Sequence, residues 1–76
     1  MTKVDRLARL QTAESEGAIW ANQTQVYRLS RAKVTQTHWQ WRELDMPTWQ
    51  RTQHIPDDVR PIQAVITELQ TNVRGT

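Results

Sequence analysis

The chain has no cysteine and no phenylalanine, and it carries only two glycines and three prolines in 76 residues. Without thiols it has neither a disulfide framework nor a thiolate metal site, so stability has to come from packing or from a second chain. Two glycines are too few for a nucleotide fingerprint or a Walker-type phosphate loop. The longest unbroken apolar run is Ala18-Ile19-Trp20-Ala21, far short of the roughly 18 to 20 residues needed to cross a bilayer. Met1 to Leu10 alternates charges with single apolar residues and has no export-signal pattern. These absences predict one soluble, cytoplasmic domain over residues 1–76 with no membrane association. A domain of this length buries only about 60% of its unfolded surface, so its core is thin.

The formal net charge is +2, and its distribution says more than its sum. From Gly17 to Arg42 there is no acidic residue, while Arg28, Arg31, Lys33 and Arg42 lie within that stretch. Asp5, Glu14 and Glu16 precede it, and Glu43, Asp45, Asp57, Asp58 and Glu68 follow. A locally basic face is expected there.

The clearest periodicity is at the end of the chain. Val59, Ile62, Ile66, Leu69 and Val73, widened by Val65, recur at spacings of three and four, as on one stripe of a helix. Asp57, Asp58 and Pro61 suit its first turn, and Gly75 its end. Near the start, Val4, Leu7, Ala8 and Leu10 predict a helix that Thr2 caps and Gly17 ends or bends. Between them two patterns compete. Tyr27 and Leu29 alternate with Arg28 and Ser30, and Thr35, Thr37, Trp39 and Trp41 with Gln36, His38 and Gln40, as in a β-hairpin. However, no glycine, proline or Asn-Gly pair lies between Gly17 and Pro47 to turn it. Trp20, Tyr27, Val34 and Trp41 are spaced by seven, with Leu44 completing the set, as on one side of a helix. Asp45-Met46-Pro47 reads as a further helix start. The expected fold is therefore all-α, a small bundle of four to five helices at about 2–15, 18–33, 35–44, 47–53 and 57–73. The alternative is α+β with a central hairpin at 25–41.

Chemistry-bearing constellations are scarce. His38 and His54 have no histidine or carboxylate three or four residues away on a helix, so no metal site is expected. Ser15 and Ser30 sit in no nucleophile turn, and helix capping accounts for Asp57 and Asp58. The reading is a binding protein without cofactor, not an enzyme. Four tryptophans are many for so short a chain. On a helix Trp39 and Trp41 point about 160° apart, so one of them is left for a partner.

Ala32, Val34-Thr35 and Trp39, within Gln25 to Arg42, resemble the first-helix, turn and recognition-helix anchor positions of small bacterial and phage helix-turn-helix repressors. The resemblance implies a DNA-binding regulator. Thr35 would cap a recognition helix that presents Gln36, Thr37 and Gln40 to base edges of double-stranded DNA, while Arg31, Lys33 and Arg42 would contact phosphates. A homodimer through the C-terminal helix would pair two half-sites. The other class of function is a protein–protein interaction module, such as an adaptor, inhibitor or assembly factor, that uses a basic face and the exposed rings of Trp39, Trp41 and Trp49.

Overall fold

The computed structural model describes residues 2–33 and 36–74, with side chains described outside 31–37. The element order is α1 (Lys3–Ser15), β1 (Trp20–Ala21), β2 (Gln25–Lys33), β3 (Gln36–Glu43), β4 (Gln50–Thr52), β5 (Arg60–Pro61) and α2 (Ile62–Arg74). The five strands form one sheet in the order β4-β3-β2-β1-β5, with every neighbouring pair antiparallel. The fold is thus α+β, and the expected all-α bundle is overturned. Of the predicted helices, 2–15 is present as α1 and 57–73 as the shorter α2, while 18–33, 47–53 and the described part of 35–44 are strand and loop. The hairpin alternative describes the centre.

α1 follows from its ends. The Thr2 hydroxyl accepts a hydrogen bond from the Asp5 amide at 3.1 Å, and Asp5 places a negative charge in the first turn, where the helix dipole favours it. At the other end Gly17 takes φ 102°. The Gly17 amide donates to the Glu14 carbonyl and the Ala18 amide to that of Ala13, both at 3.0 Å. This is the double closure that a left-handed residue after a helix permits.

The centre folds as a sheet because alternation is satisfied there and turns are supplied by side chains rather than by glycine. Between β1 and β2, Asn22 Oδ1 accepts from the amides of Thr24 at 3.1 Å and Gln25 at 2.8 Å, so an Asx turn closes the hairpin without a positive φ. The second hairpin carries a register shift between Arg31 and Lys33; its tip, Val34 and Thr35, lies outside the described residues. The helix expected at 47–53 does not form. The Arg42 guanidinium instead donates through Nη1 to the carbonyls of Glu43, Leu44 and Met46 at 3.0, 3.3 and 2.9 Å, and β3 then recruits 50–52 as an edge strand.

The C-terminal helix begins at Ile62 rather than at Asp57 or Asp58. Pro61 is not in its first turn but ends β5, opposite Trp20, an edge position that tolerates its missing N–H. The Ile62 amide donates to the Ile19 carbonyl at 3.0 Å, which holds this stretch to the sheet. Asp58 lies in a turn and accepts from Asn22 Nδ2 at 3.3 Å.

Both helices cover one face of the sheet. The core is Leu10 and Ala13 from α1, Ala18, Ala21 and Val26 from the loop and strands that follow, Leu44, and Ile62, Val65 and Ile66 from α2, with Leu7, Trp49 and Leu69 packed against it. The apolar stripe of α2, the helix through which the resemblance implied a homodimer, is thus largely buried inside the chain. The molecule measures 47 × 21 × 19 Å, because β2 and β3 run on as an arm beyond the part of the sheet that the helices cover. Among the described residues no helix is long and apolar enough to cross a membrane.

Candidate interaction surface

Strand register decides which side chains share a face. Pairing sets Trp20 opposite Tyr27, Tyr27 opposite Trp41 and Trp41 opposite Gln50. The next row sets Leu29 opposite Trp39 and Trp39 opposite Thr52. Side chains alternate along a strand, and Val26 and Ala21 point to the helices, so these two rows occupy the opposite face. Tyr27 is only 3% exposed there, since its row lies beside residues 54–56. Gln25, Tyr27, Trp41, Thr52, His54, Ile55 and Pro56 line a depression of about 340 Å³. Farther out, Leu29 is 47% exposed and Trp39 is half-buried.

The helix-side face of the arm is polar. Arg28 Nε donates to Gln40 Oε1 at 2.8 Å, and its Nη1 to the Glu16 carbonyl at 2.8 Å. Its guanidinium lies 4.2 Å from the centre of the Trp49 ring, and that of Arg42 lies 5.2 Å from it, both within reach of a cation–π attraction. Arg42 is buried at 5% exposure and donates to Glu16 Oε1 at 3.1 Å. Beyond them Arg51 Nη2 and His38 Nδ1 stand 3.4 Å apart.

This geometry redistributes the residues expected to bind DNA. Gln36, Thr37, Gln40 and Arg42 lie on β3, and Arg31 and Lys33 on β2, so there is no recognition helix to carry them and the helix-turn-helix reading is overturned. Thr35 lies outside the described residues. Lys33 pairs with Gln36 and Arg31 with Thr37 in the arm, whereas Gln40 is engaged by Arg28 and Arg42 is buried against Glu16. The tryptophans also divide differently from the helical expectation. Trp39 and Trp41, two residues apart, share the face away from the helices, while Trp49 packs on the helix side beneath Arg28 and Arg42. Leu29 was the residue missed; its place in the Tyr27–Leu29 alternation was the available signal.

The two edges of the arm are unequally covered. β1 pairs only with Val26 and Tyr27 of β2, and β4 only with Trp39 to Trp41 of β3. Among the described residues no group of three or more His, Cys, Asp or Glu side chains is placed to hold a metal ion. No family model, curated protein or solved structure matches this chain.

Proposed function

We propose that this chain is a non-enzymatic protein-interaction module whose binding element is the projecting β2–β3 arm. The observation that carries the reading is the row Leu29–Trp39–Thr52, on the face without helices and farther out than the Tyr27 row beside residues 54–56. An exposed leucine directly across from a tryptophan offers a partner apolar area beside a rigid ring, and tryptophan is enriched among interface hot spots. Trp41 continues the patch toward the body. The stretch from Gly17 to Arg42 holds no carboxylate, so no negative charge within it repels an acidic partner. The C-terminal helix offers less, since Ile62, Val65 and Ile66 are buried within the chain.

Selection from a random peptide library displayed on phage tests the reading, with the parent protein and Trp39→Ser as alternating targets. Enrichment of peptides that bind the parent and lose the Trp39→Ser variant is expected. Peptides that bind both variants equally, or no enrichment at all, would overturn it.

A further inference from the structure

The core-facing stripes of the two helices turn polar at the same end of the pair. On α1, Lys3, Arg6, Leu7, Leu10 and Ala13 recur at spacings of three and four, so they share a face. Leu7, Leu10 and Ala13 pack in the core, whereas the first two are cationic. On α2 the stripe of Ile62, Val65, Ile66 and Leu69 runs on to Asn72. The helices lie antiparallel, since Gln63 Nε2 donates to Glu14 Oε2 at one end while Lys3, Leu69 and Asn72 line a depression of about 400 Å³ at the other. A second depression of about 410 Å³ adjoins it, with Arg6, Gln23, Arg60 and Val65 common to both. Gln23 belongs to the turn between β1 and β2, so this opening is at the opposite end of β2 from the tip of the arm.

Arg6 has no counter-charge among the described residues. Its side chain is partly buried, and its one side-chain hydrogen bond there runs from Nη2 to the Asn22 carbonyl at 3.3 Å. Its Nε is closed to solvent and meets no acceptor, which is rare in a native structure. Arg60, by contrast, is paired with Glu68 at 2.7 Å, and Asp58 accepts from Asn22. Three cations, Lys3, Arg6 and Arg60, against two carboxylates, Asp58 and Glu68, leave the lining with an excess of one positive charge. That excess matches a carboxylate better than a phosphate group, which carries nearly two charges at neutral pH. The guanidinium fork suits carboxylate geometry, and Val65 and Leu69, four residues apart on α2, supply an apolar wall. We infer that this opening binds a small organic monocarboxylate, its acid group on Arg6 and Lys3 and its apolar part against Val65 and Leu69. An apolar wall with a few convergent polar groups is the usual form of a small-ligand site. The site lies apart from the arm and does not rest on the protein-interaction reading.

Titration of the full chain with hexanoate tests this, followed by heteronuclear NMR of the Arg6 Nε–H and of the Gln23 and Asn72 side-chain amides. Hexanol, which has the same chain length and no charge, and inorganic phosphate are the rivals. Hexanoate is expected to shift the three signals along one saturable curve. Hexanol should bind about tenfold more weakly or less, the scale of a lost charge-assisted hydrogen bond, and phosphate more weakly because it has no apolar part and too much charge. Arg6→Gln should weaken hexanoate by about the same factor as the loss of its charge. Lys3→Gln, at an exposed position, should weaken it about two- to fivefold, the scale of an exposed ion pair. That variant keeps the inference testable if Arg6→Gln fails to fold. Shifts that do not saturate overturn the inference, as does hexanoate binding that is unchanged in Arg6→Gln, or in Lys3→Gln where the other variant does not fold. Phosphate binding as tightly as hexanoate would make this a general anion site, and hexanol binding as tightly would make it an apolar hollow; either result overturns the carboxylate assignment. The peptide selection against Trp39→Ser reads the arm alone, so the two proposals fail separately.

Discussion

Trp49 and Glu16 are joined across 33 residues of sequence: the indole Nε1 donates to Glu16 Oε1 at 2.9 Å, and the same oxygen accepts from Arg42 Nε at 3.1 Å. Glu16 caps the C-terminal end of α1, where the helix dipole disfavours a negative charge. Arg42 offsets that charge, and Arg28 donates to the Glu16 carbonyl at the same helix end. The base of the arm is thereby fastened to α1.

Removing that carboxylate leaves a buried guanidinium with only carbonyl partners. Glu16→Ala is expected to cost about 1–3 kcal/mol, a fall in Tm of several degrees for a domain of this size. Glu16→Gln should cost less, because its amide oxygen still accepts. Urea unfolding followed by tryptophan fluorescence measures both, and an alanine variant as stable as the parent would show that Arg42 is held by the Glu43, Leu44 and Met46 carbonyls alone.

Gly17→Ala separates backbone strain from crowding. A Cβ at Gly17 meets only Arg28 Cδ, at 3.9 Å, while φ is +102°. The expected cost of about 1–2 kcal/mol is therefore that of a left-handed residue with a side chain. Gly17→Asn should recover part of it, and thermal melts of the three proteins give the order. If alanine equals glycine, the α1 closure has another source.

The ends of the chain were legible because their signals are local. Thr2 and Gly17 bracket α1, and the spacing of Ile62, Ile66 and Leu69 marks α2. The centre was misread because one spacing has two geometries: Trp20, Tyr27 and Trp41 are multiples of seven apart, as on a helix, yet they are neighbours in one row across three strands. What separated the readings was the turn, and Asn22 makes it with a side-chain oxygen where Gly or Pro was sought. Nor did Pro61 reveal that pairing with Trp20 would hold it in a strand. The surface followed the fold. Trp39 and Trp41 oppose one another on a helix and coincide on a strand, so a wrong period moved the candidate patch.

Ile66, at 5% exposure, is where α2 closes the core. Ile66→Asp introduces an unpaired buried charge and is expected to remove several kcal/mol, a large share of the total stability of a small domain. Circular dichroism should lose its cooperative transition, and size-exclusion chromatography should show expansion. A variant with parental melting and size would place α2 outside the core.

Face parity in β2 predicts opposite responses at two apolar positions. Val26 is fully buried and Leu29 is 47% exposed. Val26→Thr buries a hydroxyl among aliphatic groups at a cost of about 1–3 kcal/mol, whereas Leu29→Thr should stay within about 0.5 kcal/mol. Comparable losses in chemical denaturation would mean that Leu29 is covered within the monomer.

Tyr27 gives the arm's base a dependence on alkaline pH. Its hydroxyl donates to Gln25 Oε1 at 2.7 Å. Burial first, then the carboxylates of Asp58 and Glu43, raise its pKa above the ordinary 10.0. Ionisation in the folded state would forfeit the donated hydrogen bond and place a third negative charge beside those two. The unfolded chain therefore releases this proton at lower pH than the native one, so above pH 10 the unfolded state binds fewer protons and stability falls as pH rises. The contribution is fully present below 10 and is lost as pH rises through the raised native value. Lysines titrate nearby, so the informative quantity is the stability difference between the parent and Tyr27→Phe. That difference should be flat below pH 10 and should move against the parent above it. Tyr27 is the sole tyrosine, so phenolate absorbance reports it directly. A native titration midpoint at or below 10, or a difference that does not change across it, would mean that water reaches the hydroxyl and that residues 54–56 do not close over this row.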